Sequence, residues 1–137
     1  MPILQWELYH VEYGSCISQF NTHSTYTIND FEQGINQGSE FSEPHMCIVI
    51  SPNPLNKGNA FVAVPITEYT PGDDRHWDKI VLKKTDYNFL SKDSSIHLTA
   101  IRQVSQNRII RLVRPYIPSD LQKEIKSKIA SIFCGIR

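Results

Sequence analysis

The side chains of this 137-residue sequence best suited to chemistry near neutral pH are five histidines and three cysteines. Neither set has the spacing of a metal site. His23, His76 and His97 are far apart, and Cys16, Cys47 and Cys134 form no CxxC pair, so a zinc centre has no support. The sequence also lacks a phosphate-cradling GxxxxGK[ST] loop, a GxGxxG turn and a GxSxG nucleophile elbow. One loop, EYTPGDDRHWD at 68–78, does gather useful groups: Arg75 and His76 offer charge, and Trp77 an aromatic face for stacking. The same residues fit an ordinary solvated loop with Trp77 folded inward.

Such groups act only if a scaffold brings them together. The length suits one domain with a single hydrophobic core, and the 40% apolar and 20% charged fractions are those of a globular chain. No apolar run approaches the ~20 residues that span a bilayer. The opening MPILQWELYHVEYG lacks the basic and uninterrupted apolar regions of a signal peptide, so the expected location is the cytoplasm. An odd cysteine count without pairs predicts buried free thiols. Net charge is zero but unevenly spread. Residues 1–78 hold ten Asp or Glu and two Lys or Arg, and residues 79–137 hold four and twelve. The basic half can attract phosphate, unless folding interleaves the halves and cancels the difference.

The elements read as mainly β. Residues 3–20 show neither clean alternation nor clean helical spacing, and an additional N-terminal helix is expected there. Tyr26–Phe31 is β-prone, and 34–42 is a polar loop. Met46–Ile50 and Phe61–Thr67 read as buried strands, with Pro65 marking an edge or a bend in the second. Lys79–Leu82, Ile96–Ile101 and Ile109–Val113 read as further strands. A C-terminal amphipathic helix is predicted with Ser119 as N-cap and Gln122 completing a capping box. Leu121, Ile125, Ile129, Ile132 and Phe133 share its apolar face, and Gly135 supplies the stop. Five or six short strands and one packed helix predict a small, partly open barrel closed by that helix.

Three pieces in order are more specific: GSEFSEPHMCIVIS at 38–51, AFVAVPIT at 60–67 and DSSIHLTAIRQVSQNRI at 93–109. Here the sequence resembles the MazF/PemK toxins of toxin-antitoxin systems. Gly38-Ser39-Glu40 match the family's Gly-Ser-Glu loop, and Ile48-Val49-Ile50-Ser51 match the end of its first strand. Pro65-Ile66-Thr67 match the second strand's PIT, and Ile101-Arg102 with Arg108-Ile109 match the third piece. The resemblance covers roughly residues 25–135. It implies an SH3-like barrel over 25–137, preceded by an N-terminal extension over 1–24.

The resemblance further implies a metal-independent endoribonuclease, with no cofactor, cleaving single-stranded RNA. A 2′-hydroxyl would attack the adjacent phosphate and leave a 2′,3′-cyclic phosphate. The implied partners are mRNA, a cognate antitoxin and a second copy of the chain, with no membrane. In the family an arginine before the first strand and the threonine ending the second perform much of the chemistry. Thr67 is that threonine. The arginine position holds His45, and His97 stands where some members carry another arginine. Two imidazoles beside one phosphate can divide the roles of base and acid, since their unperturbed pKa of about 6.5 suits proton transfer near neutrality. The catalytic candidates are therefore His45, Thr67 and His97. Ser39, Glu40, Arg75 and Trp77 are the RNA-binding candidates, and Arg102 is expected to brace the barrel. The same replacements also fit an inactive barrel that binds protein or nucleic acid.

Overall fold

A computed structural model describes residues 2–14, 16–17, 36–37 and 44–135. The β-prone runs become β1 (Leu8–Glu12), β2 (Cys16–Ile17), β3 (Asn36–Gln37), β4 (Pro44–Val49), β5 (Ala60–Glu68), β6 (Lys79–Leu82), β7 (Ser94–His97), β8 (Arg102–Ser105) and β9 (Ile109–Arg114). Seven of them form one sheet in the order β6-β7-β5-β4-β1-β9, with β8 also joined to β5. Every pairing in that sheet is antiparallel. β2 and β3 make a separate parallel pair. Among the described residues β6 and β9 end this path without pairing to each other, so the sheet is open, as the partly open barrel predicts.

β5 is the spine. One side pairs with β4, and the other is shared: Ala60–Ala63 pair with β8, and Ile66–Glu68 pair with β7. Pro65, which has no amide hydrogen to give a ladder, falls between those two partners.

The N-terminal helix expected over 3–20 is corrected by β1, a strand held between β4 and β9. Its ambiguous pattern has a simple cause. Leu8 faces one buried cluster while Tyr9 and Val11 face another, so both faces are apolar and the period of two is hidden. Trp6, just before it, takes a left-handed φ of 71° that non-glycine residues seldom adopt. Bonds from its amide to the Val49 carbonyl (2.8 Å) and from the Ile117 amide to its carbonyl (3.1 Å) hold it there. The β-prone stretch Tyr26–Phe31 lies outside the described residues. Ile96–Ile101 is also shorter as a strand than expected: β7 ends at His97, and a 3-10 turn occupies Leu98–Ala100. The Leu98 amide bonds the Asp78 carbonyl at 3.1 Å, which turns the chain at that point.

The helix α1 (Ser119–Cys134) closes one face of the sheet. Leu121 and Ile125 are buried against Leu8, Ile48, Val64, Ile66 and Ile96, with Ile129 and Ile132 packed at the margin. Each fully buried aliphatic side chain of this kind contributes roughly 1.5–3 kcal/mol. Two details differ from expectation. Ser119 is the first helical residue and Pro118 occupies the cap position with no side-chain capping bond. The Gln122 side-chain Nε2 reaches back to the Ile117 carbonyl instead, at 2.9 Å. Phe133 is exposed, whereas Gly135 supplies the left-handed stop with φ 67°. Cys47 is a buried free thiol as expected and Cys134 an exposed one, since it lies at the helix end beyond the sheet. Among the described residues no helix is long and apolar enough to cross a membrane.

Candidate active site

The register of three neighbouring strands assembles the site. Met46 pairs with Ile66 and Cys47 with Pro65, so the same register carried one step further sets His45 opposite Thr67. On the other side of β5, Thr67 pairs with Ser95, which makes His97 its diagonal neighbour on the same face. The contact is direct: Thr67 Oγ1 lies 2.7 Å from His97 Nε2. A neutral imidazole with Nε2 unprotonated accepts the threonine hydrogen.

Burial favours that neutral form. Loss of hydration pushes the His97 pKa below its ordinary value, and the charges of Lys79 and His45 push the same way, against the opposing pull of Asp73 and Asp78. His45 is thus within electrostatic reach of the Thr67–His97 pair. It packs on Tyr13, with ring centroids 6.1 Å apart, and the Arg102 guanidinium lies 5.4 Å from the centre of the same Tyr13 ring. Arg102 and His45 therefore both contact the Tyr13 ring. Burial holds the Tyr13 phenol far above its usual range and pushes the Cys47 thiol up to about 12, so neither ionises near neutral pH.

A groove of about 500 Å³ opens at the ends of these strands. Thr67 and His45 line it, together with His10, Phe89, Lys92 and Arg111 among others. His10 and Arg111 are register partners across β1 and β9. The groove offers Lys92, Arg111 and the Phe89 ring together with the Glu68 carboxylate, which lies 3.3 Å from the Lys92 ammonium, and its lining includes Thr67 but not His97. Among the described residues no group of three or more His, Cys, Asp or Glu could hold a metal.

Of the residues singled out from sequence, the structure brings together His45, Thr67 and His97. Arg75 and Trp77 do not line the groove. They lie on the 68–78 loop, where Trp77 is 68% exposed rather than folded inward, and Lys128 of α1 bonds its carbonyl at 3.3 Å. Ser39 and Glu40 lie outside the described residues. Sequence reasoning missed His10, Lys92 and Arg111, because nothing local connects residues that only the sheet order places around one groove.

Comparisons with known proteins follow the same lines. The sequence model of a family described as PemK-like, MazF-like toxin of type II toxin-antitoxin system matches residues 27–133. No curated protein sequence matches significantly. Among solved structures, MazF from Deinococcus radiodurans superposes with a TM-score of 0.64 at 16% identity, covering 99% of both chains. A MazE-MazF structure from the same organism gives 0.62 at 14%, covering 100% of both. An endoribonuclease in complex with its cognate antitoxin, from a mycobacterial species, gives 0.60 at 11%, covering 98% of this chain and 97% of that one. At these identities the structures establish a shared fold.

Proposed function

The chain belongs to the PemK-like, MazF-like toxins of type II toxin-antitoxin systems, and on that premise we propose that it is a metal-independent endoribonuclease cleaving single-stranded RNA. The observation that carries the reading is the 2.7 Å bond between Thr67 and His97 at the end of β5, beside His45. The 2′-hydroxyl gives its proton to Thr67 Oγ1 while the threonine's own proton passes to His97 Nε2. The 2′-oxygen forms its bond to phosphorus and the P–O5′ bond breaks. The departing 5′-oxygen takes a proton from the His45 ring. The products are a 2′,3′-cyclic phosphate and a 5′-hydroxyl end. General acid and base steps of this kind each supply roughly 10²–10⁴ in rate.

The groove is the path assigned to the flanking nucleotides, with Lys92 and Arg111 toward phosphates and Phe89 toward a base. Ser39, Glu40, Arg75 and Trp77 would extend contact with the strand beyond it. The neighbours of known structure include complexes with an antitoxin, and the expected assembly here is a homodimer inhibited by a cognate antitoxin, acting on mRNA in the cytoplasm. Residues 25–137 would form the toxin barrel, with 1–24 as an extension that adds β1 to it.

One test is an RNA-cleavage assay with and without chelator, followed by end-group analysis. Cleavage resistant to chelator with cyclic phosphate ends is expected, together with a loss of at least ~10²-fold in His45→Ala and an unchanged fold. Full activity in His45→Ala would discard this mechanism. The replacement of the family arginine by His45 favours a second reading, a non-cleaving barrel that binds protein or nucleic acid. It predicts tight binding and no new RNA ends at any protein concentration.

A further inference from the structure

His97 accepts the proton in the mechanism above, so whatever sets its protonation state sets the site. Charged and titratable groups face it from several elements. β6 places Lys79 as its register partner. Asp78, just before β6, accepts from the Leu98 amide at 3.1 Å through its carbonyl and from the Thr99 hydroxyl at 3.0 Å through its carboxylate. β4 contributes His45, and a 3-10 turn contributes Asp73. On α1, which packs against Leu98–Ala100, Lys128 is bonded to the Trp77 carbonyl.

Asp73 is the anchor of this group. Its buried carboxylate accepts from the Thr70 amide at 2.9 Å, the Ser95 hydroxyl at 2.7 Å and the Lys79 ammonium at 3.0 Å. Those bonds hold its pKa far below the usual carboxylate range. A lysine on a solvent-facing strand would sample many rotamers, but this one is only 19% exposed and is tied to a carboxylate that Thr70 and Ser95 also hold. Ser95 is the register partner of Thr67 and lies two residues before His97. The clamp therefore grips the strand that carries the histidine as well as the lysine opposite it.

We propose that Lys79 is a positioning residue: clamped by Asp73 opposite His97, it adds to burial in keeping that ring neutral, so that Nε2 remains free of a proton and open to the Thr67 hydroxyl. Lys79 stands opposite His97 in register, whereas Asp73 reaches the strand two residues back, at Ser95. The catalytic consequence rests on the ribonuclease reading. The electrostatic relation between Lys79 and His97 does not.

The experiment is an NMR titration of His97 in the full chain, paired with the pH dependence of RNA cleavage. In Lys79→Met the His97 midpoint moves up, and the acid limb of the rate profile moves with it. Lys79→Arg restores both. Because Lys79→Met leaves the buried Asp73 carboxylate without its cation, Lys79→Met/Asp73→Asn provides a second test, with a smaller upward move expected. An unmoved midpoint in either folded variant overturns the proposal. A midpoint that responds in a chain that cleaves no RNA keeps the clamp and removes the ribonuclease reading. Cleavage with a midpoint indifferent to Lys79 does the reverse.

Discussion

The two faces of the sheet are made by the same strands, one residue out of step. On β4, Ile48 faces α1 while Cys47 and Val49 face away, and on β5 Val64 and Ile66 face α1 while Phe61 and Ala63 face away. The helix-covered face is largely aliphatic, with Trp6 inside its cluster and Tyr87 and Phe89 packed at its margin. The opposite face mixes apolar residues with Tyr9, Tyr13 and Cys47, and toward the ends of the strands with Thr67 and His97. Burial raises the pKa of both phenols and of the thiol, with the Tyr9 hydroxyl also held by the Glu7 carboxylate at 2.8 Å. Proton transfer near neutral pH on this face is thereby left to imidazoles. One face specifies the fold and the other carries polar chemistry at its margin, and a period of two keeps them apart.

The largest effect should come from damage to the aliphatic face. Ile48 is fully buried within the cluster that α1 seals. Ile48→Ala should lose about 2–5 kcal/mol of stability through lost transfer energy and the cavity left behind, read by urea denaturation. In the fraction that remains folded, the Thr67–His97 pair should titrate as in the parent chain. If the His97 midpoint moves in that variant, the two faces are not separable.

A middle-sized effect comes from pH. The folded state binds a proton at His97 more weakly than the unfolded chain does, because burial lowers the pKa from its ordinary value near 6.5. As pH falls below about 6.5 the unfolded chain protonates first, so stability declines by up to ~1.4 kcal/mol per unit until the folded ring protonates too. Cleavage should persist below the ordinary imidazole pKa and fail only when His97 takes its proton. Melting temperature against pH, compared with His97→Gln, checks the first part, since that variant should lose this slope. A slope retained in His97→Gln would assign it to another group.

The same contrast explains what was legible in the sequence. β4, β5, β6 and β9 stand out as short apolar runs because their ends are polar or proline-bounded. β1 does not, since both of its faces are covered. β8, Arg-Gln-Val-Ser, was also missed: it has one buried apolar residue, Val104, and is held to β5 by backbone pairing. His45 and Thr67 were visible only through a family resemblance, and His97 only as a departure from it. Their meeting depends on register between residues far apart in sequence, which no local pattern encodes. Asp73 fell within the charged loop 68–78 and Lys79 at the start of a predicted strand, with nothing to join them, because the clamp exists only once Ser95 and Thr70 close around the carboxylate.

The smallest effect tests the boundary between sequence signal and structure. Ser119 has the residue type and spacing of an N-cap, and a true cap of that kind is worth about 0.5–2 kcal/mol. Here Ser119 already lies inside the first turn, and Gln122 satisfies the Ile117 carbonyl rather than completing a capping box. Ser119→Ala should therefore change stability by less than ~0.5 kcal/mol, as exposed substitutions without a specific bond usually do. A loss near 1 kcal/mol in chemical denaturation would show that the serine caps the helix in solution. The register of α1 on the aliphatic face would then begin one residue later than described.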